Sequence, residues 1–467
     1  MLFSSIPFLY YFLPLVLLVY YLSPSFLKNG TLLLFSLLFY GWGEGRYLFL
    51  MVGLILFNQF FGCLIQYGRQ RGKWDRLFLI LSLATNLAVL GYFKYADFFI
   101  ANVNRLTGSE FPLLNIALPL GISFYIFQLM SYTVDVYRGE VRARKNPLFV
   151  GTYVSMFPQL IAGPIIRYSD LEKQLEERQT SFLQAAQGIQ RFILGLAKKV
   201  LLANSLGEIC AQFKEAQEKD MLFFWLYAVA FMLQIYFDFS GYSDMAIGLG
   251  KLLGFSFEEN FRYPYMAVSI TEFWRRWHIS LGTWFRDYVY IPLGGNRVNK
   301  ARWLFNLFLV WFLTGFWHGA SWNFILWGIY FAFFMLLEKL WLGTWLKKSR
   351  LLAHAYVLSV VMVSFLIFDA VTVKEAGRNI QGLLGAGNGK WFSTESVYYL
   401  KSYLVTLGIA ALGATSYPKT LLEKVKVQMQ AKVLVDLGEI LLLGALFLVV
   451  TACLVDGSFN PFLYFRF

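Results

Sequence analysis

Three histidines occur in 467 residues, and two of them sit where an apolar chain has no ordinary use for an imidazole. His318 lies in TGFWHGASWNF, residues 314–324, between Trp317 and Gly319. His278 lies in WRRWHISL, beside Arg275 and Arg276. An imidazole titrates near neutral pH, so it can take a proton from a hydroxyl and return it to a leaving group. Each histidine also has a plainer reading. His318 reads equally as a helix-end histidine bonded to a backbone carbonyl, and His278 as an interfacial histidine among arginines. Two histidines without a third partner are too few to hold zinc.

Other polar groups fall inside apolar runs, where they are costly and therefore mark candidate sites. QIYFDFSGYSDMAIG carries Gln234, Asp238, Ser240 and Asp244. The two aspartates also read as partners for arginines of the following segment. Asn323 stands five residues after His318, close enough in sequence to orient it. With Trp274, Arg275, Arg276 and Trp317, these residues are the candidates for lining a substrate path.

The elements that must position them are membrane helices. Hydrophobic residues make up 58% of the chain, aromatic residues 19% and charged residues 15%. A soluble domain carries about 25% charged residues. Crossings are predicted at 6–23, 31–41, 47–66, 77–98, 114–136, 184–205, 221–240, 303–318, 322–342, 352–370, 398–415 and 434–455. The first lacks a basic flank and a cleavage site, so it is expected to be retained. LFVGTYVSMFPQLIAGPII, residues 148–166, is broken by Pro158, Gly163 and Pro164 and reads as re-entrant. Residues 241–302 alternate aromatics with Arg262, Arg275, Arg276 and Arg286, which suits interfacial helices at the cytoplasmic face. Within them SITE, Ser269–Glu272, is a capping box expected to start a helix carrying Trp274 and His278.

The net charge of +13 has a membrane explanation that makes nucleic acid unnecessary. Basic residues gather in one set of loops, including 69–76, 138–145, 241–302, 347–350 and 419–432. That asymmetry predicts about twelve crossings with both termini outside. Cys63, Cys210 and Cys453 show no metal spacing and read as packing residues. Broken helices could also serve a transporter, but no internal repeat supports one. A scaffold for a secretion complex is the remaining non-enzymatic reading.

DFSGYSDMAIGLG, NFRYPY, SITEFWRRWHISLGTWFRDYVYIPLGGNR and WHGASWNFILWG resemble the membrane-bound O-acyltransferase (MBOAT) family, in the branch that acetylates bacterial alginate. NLAVLGYFKYADFF, LPLGISFYIFQLMSYTVDVYRG, FPQLIAGPIIRYSDL and RFILGLAKKVLLAN extend the resemblance over nearly the whole chain. It implies one all-α domain over 1–467 around a central funnel or tunnel, in the bacterial cytoplasmic membrane. It implies acyl transfer from a cytoplasmic thioester donor, acetyl-CoA, to a hydroxyl, with no permanently bound cofactor and no metal. His318 falls at the catalytic position and His278 at the second signature position. The polysaccharide-acetylating branch works with separate extracytoplasmic SGNH-type partners, and no such domain is present here. Peptidoglycan O-acetylation and wall D-alanylation are the neighbouring alternatives. The C-terminal NPFLYFRF fits F-x-Y-x-x-F at Phe462, Tyr464 and Phe467, resembling a small peptide of the D-alanylation system whose tyrosine relays the acyl group. Tyr464 is accordingly the candidate relay, with an aromatic interfacial anchor as the competing reading. One departure stands out: Asp369 occupies a place where the alginate branch leads one to expect arginine.

Overall fold

Helix is the only regular backbone structure among the described residues. Hydrocarbon offers no water to bare N–H and C=O groups, and helices satisfy them internally. A computed structural model describes residues 2–161, 163–386, 389–428, 432–457 and 463. The chain divides into two compact units, Met1–Phe192 with Met245–Glu258, and Ile193–Asp244 with Glu259–Phe467.

The first unit contains α1 (Leu13–Leu22), α2 (Lys28–Glu44), α3 (Tyr47–Arg71), α4 (Asp75–Leu90), α5 (Ala96–Thr107), α6 (Ile122–Arg138), α7 (Pro147–Ser155), α8 (Phe157–Leu160) and α9 (Tyr168–Glu176). The break expected within 148–166 is the parting of α7 from α8 at Met156, ahead of Pro158. Asn146 caps α7 by accepting the Leu148 N–H at 2.9 Å. The crossing expected at 114–136 begins later, at Ile122. Pro119 brings no N–H to a helix, and Gly121 takes φ +71. A side chain at Gly121 would also meet the Leu160 carbonyl oxygen at 2.8 Å.

α10 (Phe182–Ala197) begins in this unit and passes at Ile193 into the second, where a π-helical turn, Lys198–Ala203, continues it. There follow α11 (Asn204–Glu215), α12 (Met221–Leu252), α13 (Ile270–Trp274), α14 (Ile279–Phe285), α15 (Lys300–His318), α16 (Trp322–Leu337), α17 (Gly343–Leu346), α18 (Arg350–Asp369), α19 (Val373–Leu383), α20 (Thr394–Gly413), α21 (Tyr417–Gln428) and α22 (Lys432–Val455).

Among the described residues, six helices are long and apolar enough to cross a bilayer: Tyr47–Arg71, Asp75–Thr107, Met221–Leu252, Trp322–Leu346, Arg350–Asp369 and Val435–Val455. α20 and α21 form a seventh such unit, bent by 69°. α22 exposes Leu437, Ile440, Leu441, Leu442 and Leu448, an apolar face at home only in lipid. The chain is a polytopic helical membrane protein.

α12 corrects one expected boundary. It continues to Leu252, so 241–252 is helix and not part of an interfacial segment. Gly241 and Gly248 do not break it; they are points of close approach. A Cβ at Gly241 would meet the Gly195 carbonyl oxygen at 2.7 Å, and one at Gly248 the Gly188 oxygen at 2.6 Å. Small residues let membrane helices pack backbone to backbone. The expected cap forms only in its first half: Ser269 accepts the Glu272 N–H at 3.0 Å, whereas Glu272 reaches past Ser269 to accept the Val268 N–H at 2.9 Å. Burial raises the Glu272 carboxyl, but the Val268 N–H and the Arg276 guanidinium outweigh it and hold its pKa below the ordinary value. The helix is shorter than expected, however, and ends at Trp274.

α15 and α16 cross at glycines. A Cβ at Gly315 would lie 2.2 Å from the Phe324 carbonyl oxygen, and one at Gly328 would lie 2.2 Å from that of Trp311. Backbone cannot rotate away as a side chain can. Gly328→Val is therefore expected to lower stability by about 1–3 kcal/mol or more. Thermal unfolding of the purified protein checks this, and an unchanged midpoint would rule out the tight crossing.

Candidate functional site

His318 ends α15, because Gly319 leaves the helix with an extended backbone. The start of α15 is set by Asn299, which accepts the Arg302 N–H at 2.9 Å. The His318 side chain is buried, 8% exposed, among aromatic rings. It meets Trp317 and Trp327 at 5.0 Å and Phe368 at 5.2 Å, each in edge-on geometry. Such contacts fix the plane of the imidazole without charging it.

His278 is 1% exposed and lies in the link between α13 and α14, with φ +46. That left-handed conformation costs a non-glycine residue roughly 1–3 kcal/mol. Its surroundings hold it there. The Ile279 N–H donates to the Asn260 carbonyl at 3.0 Å, and the Arg262 N–H to that of Arg276 at 2.9 Å. His278 Nδ1 lies 3.3 Å from Asn260 Oδ1. Phe239 packs edge-on against the ring at 4.7 Å.

The two histidines share one cavity of about 30 Å³. Its lining also includes Asp238, Phe239, Trp277, Trp327, Phe368 and Leu463. About 10–15 Å³ suffices for one water, so this space suits a group of two or three heavy atoms. Asp238 is the acidic member. Its carboxylate pairs with Lys199 at 2.6 Å, with side chains 4% and 2% exposed. The same carboxylate accepts the backbone N–H of Leu463 at 2.9 Å, across 225 residues of sequence. The π-helical turn Lys198–Ala203 supplies Lys199, and such turns in a helix often mark functional places.

The other sequence candidates lie outside this lining. Asp244 pairs with Lys198 at 2.6 Å. Each aspartate thus pairs with a lysine of the preceding segment. Ser240 is buried on α12. Trp274 packs on Trp311 at 4.7 Å and on Phe331 at 4.9 Å, supporting α15 and α16. Arg275 is exposed, and Arg276 pairs with Glu272 at 2.5 Å one turn away. Trp317 packs between the histidines, 5.0 Å from His318 and 6.2 Å from His278. Asn323 donates to the Ala370 carbonyl at 2.8 Å and accepts from Ser321, so it ties α16 to the end of α18. Its expected role in orienting His318 is not what these bonds serve. Asp369 meets Lys214 at 2.5 Å and accepts from the Tyr227 hydroxyl. Its negative charge has a cation, and the departure from the family pattern is locally compensated. Phe462, Tyr464 and Phe467 lie outside the described residues.

Sequence reasoning missed Lys199, Asn260 and Leu463. Lys199 and Asn260 stood within quoted motifs, RFILGLAKKVLLAN and NFRYPY, but no local spacing tied either to a histidine.

An all-helical membrane chain with two buried histidines in one apolar cavity fits a defined class. The chain belongs to the MBOAT, membrane-bound O-acyltransferase family, whose pattern matches residues 34–368. It is 38% identical, over 100% of both chains, to the "Probable alginate O-acetylase AlgI" of Pseudomonas putida. It is 42% identical to the protein of that name from Pseudomonas aeruginosa, over 83% of this chain and 75% of that one. The "Peptidoglycan O-acetyltransferase" of Helicobacter pylori is 35% identical over 82% of this chain and 80% of its own. This protein is an acyltransferase of the membrane.

Proposed function

We propose that the protein moves acetyl groups from cytoplasmic acetyl-CoA to the outer side of the bacterial cytoplasmic membrane, for O-acetylation of alginate or an alginate-like exopolysaccharide. The observation that carries the reading is the shared cavity of His278 and His318, with Leu463 in its wall. Tyr464 follows Leu463 in the chain. The cavity is large enough for an acetyl group and too small for coenzyme A, which favours a site where only the acyl end of the donor enters.

In the proposed step His318 takes the proton from the Tyr464 phenol. The phenolate oxygen attacks the thioester carbonyl, and the carbon–sulfur bond breaks as the carbon–oxygen bond forms. The departing thiolate receives the proton from the imidazolium, leaving free coenzyme A and O-acetyl-tyrosine. A phenol, with an ordinary pKa near 10, is easier to deprotonate than a serine hydroxyl. A separate extracytoplasmic SGNH-type transferase then carries the acetyl group to the polymer. Both termini face outward in this arrangement, in keeping with the basic loops on the opposite side. Higher identity to alginate O-acetylases than to the peptidoglycan enzyme favours the polysaccharide acceptor.

Protein reconstituted in liposomes and given radiolabelled acetyl-CoA is expected to yield a C-terminal peptide acetylated at Tyr464. Tyr464→Phe is expected to take up no label and to stop polymer acetylation in cells. A Tyr464→Phe strain that acetylates at the parental rate would remove the relay.

A further inference from the structure

We propose that Asn260 is a positioning residue that selects the tautomer of His278 and leaves its Nε2 as a hydrogen-bond acceptor for the cavity. One donor beside Asn260 has an identity beyond choice. The backbone N–H of Ser280 points at one atom of the Asn260 amide, 3.1 Å away. A backbone N–H can only donate, so that atom is the oxygen, Oδ1. The Ser280 hydroxyl donates to it as well, at 2.9 Å. The amide nitrogen of Asn260 faces Ser243 Oγ at 3.3 Å, a hydroxyl able to accept. Both ends of the amide agree on its orientation.

His278 Nδ1 meets that same Oδ1 at 3.3 Å. An amide oxygen accepts and never donates, so Nδ1 carries the proton. A neutral imidazole has one N–H, and its other nitrogen, Nε2, holds the lone pair. Nε2 is buried and has no hydrogen-bond partner among the described residues. A buried acceptor without a donor is costly, and it calls for an occupant that supplies one. His278 lines the cavity it shares with His318, so the occupant is a hydroxyl or water brought beside the second imidazole. Asn260 is itself 1% exposed and holds the left-handed His278 at two levels, through its carbonyl to Ile279 and its side chain to Nδ1. Partners that fix the tautomer of a working histidine act through orientation rather than contact with substrate. The catalytic consequence rests on the acetyl-transfer reading; the tautomer does not.

The test therefore reads the ring directly. Protein labelled with ¹⁵N-histidine and placed in lipid bilayers gives solid-state NMR signals that separate protonated from bare ring nitrogens. His278→Gln assigns the signals of that residue. The native protein is expected to show His278 protonated at Nδ1 and bare at Nε2. A native His278 protonated at Nε2 instead would overturn the proposal, whatever the enzyme does. Asn260→Leu is expected to shift the ring toward the other tautomer and to lower turnover by about 10–100-fold. Asn260→Asp keeps an oxygen facing both Ser280 and Nδ1, and is expected to preserve the native tautomer and most of the turnover. Equal loss of turnover in both variants, with the Nδ1 signal unmoved in either, would reduce Asn260 to packing.

Discussion

Acyl transfer is expected to disappear in His318→Gln, while the protein still accumulates in the membrane and unfolds at close to its native temperature. Removing a general base typically costs about 10²–10⁴ in rate. Where the base also generates the nucleophile, the loss sits in turnover and not in donor affinity. Glutamine is close to histidine in size and fills most of the same space among Trp317, Trp327 and Phe368. The fold should tolerate it better than alanine, which would leave a void. The readouts are label transferred from acetyl-CoA in liposomes and the amount of exported polymer. Export should stay normal while its acetylation stops. A variant keeping more than a tenth of native turnover would dismiss His318 as the base. Loss of export with acetylation intact would point instead to a transporter or scaffold.

Lys199→Met is expected to have the largest effect on stability. The pair Lys199–Asp238 is almost wholly enclosed, and the carboxylate also holds the Leu463 N–H. Removing one partner of a buried pair strands the other charge and costs about 3–5 kcal/mol. Asp238→Leu should do comparable harm by stranding the ammonium. Joining the two changes removes both charges, and well-packed apolar replacements of buried pairs are often neutral or better. The double variant is therefore expected to regain stability that neither single variant has. It should not regain full activity, because the acceptor for Leu463 is gone and the C-terminal segment loses its tie to the cavity. Thermal unfolding in detergent and label transfer in liposomes separate the two effects. Single variants that unfold with the native protein would deny the pair its structural weight. A double variant with native turnover would show that the Leu463 bond is dispensable.

Much of the site was legible because its signals are local. A histidine next to a tryptophan in so apolar a chain is unusual on its face, and both such histidines, His278 and His318, reach the cavity. Asp238 could be named for the same reason, as a charge placed where charge is costly. Ser269 caps its helix by accepting the Glu272 N–H, because that bond needs only four consecutive residues. Reading failed where a residue type has two uses. The expected crossing stopped at 240, yet α12 runs on through Gly241 and Gly248, each a point of close backbone approach. Only the facing helix decides between those uses. Asn323 failed for a related reason, since its amide meets Ser321 and the distant Ala370 carbonyl and not His318.

By itself the sequence determined the class of protein and the kind of chemistry. Apolar length, the near absence of charge within the spans and the rarity of histidine are properties of the chain before it folds. The tertiary structure alone decided which residues form one site. Asp238, His278, His318, Phe368 and Leu463 come from five separate stretches of the chain. No periodicity links Leu463 to Asp238, because a hydrogen bond spanning 225 residues depends on packing and not on spacing. The tautomer proposed for His278 depends in the same way on an asparagine eighteen residues earlier that folding brings to its ring. A proton's position in a buried ring follows from the atoms facing it, and those are chosen by the fold.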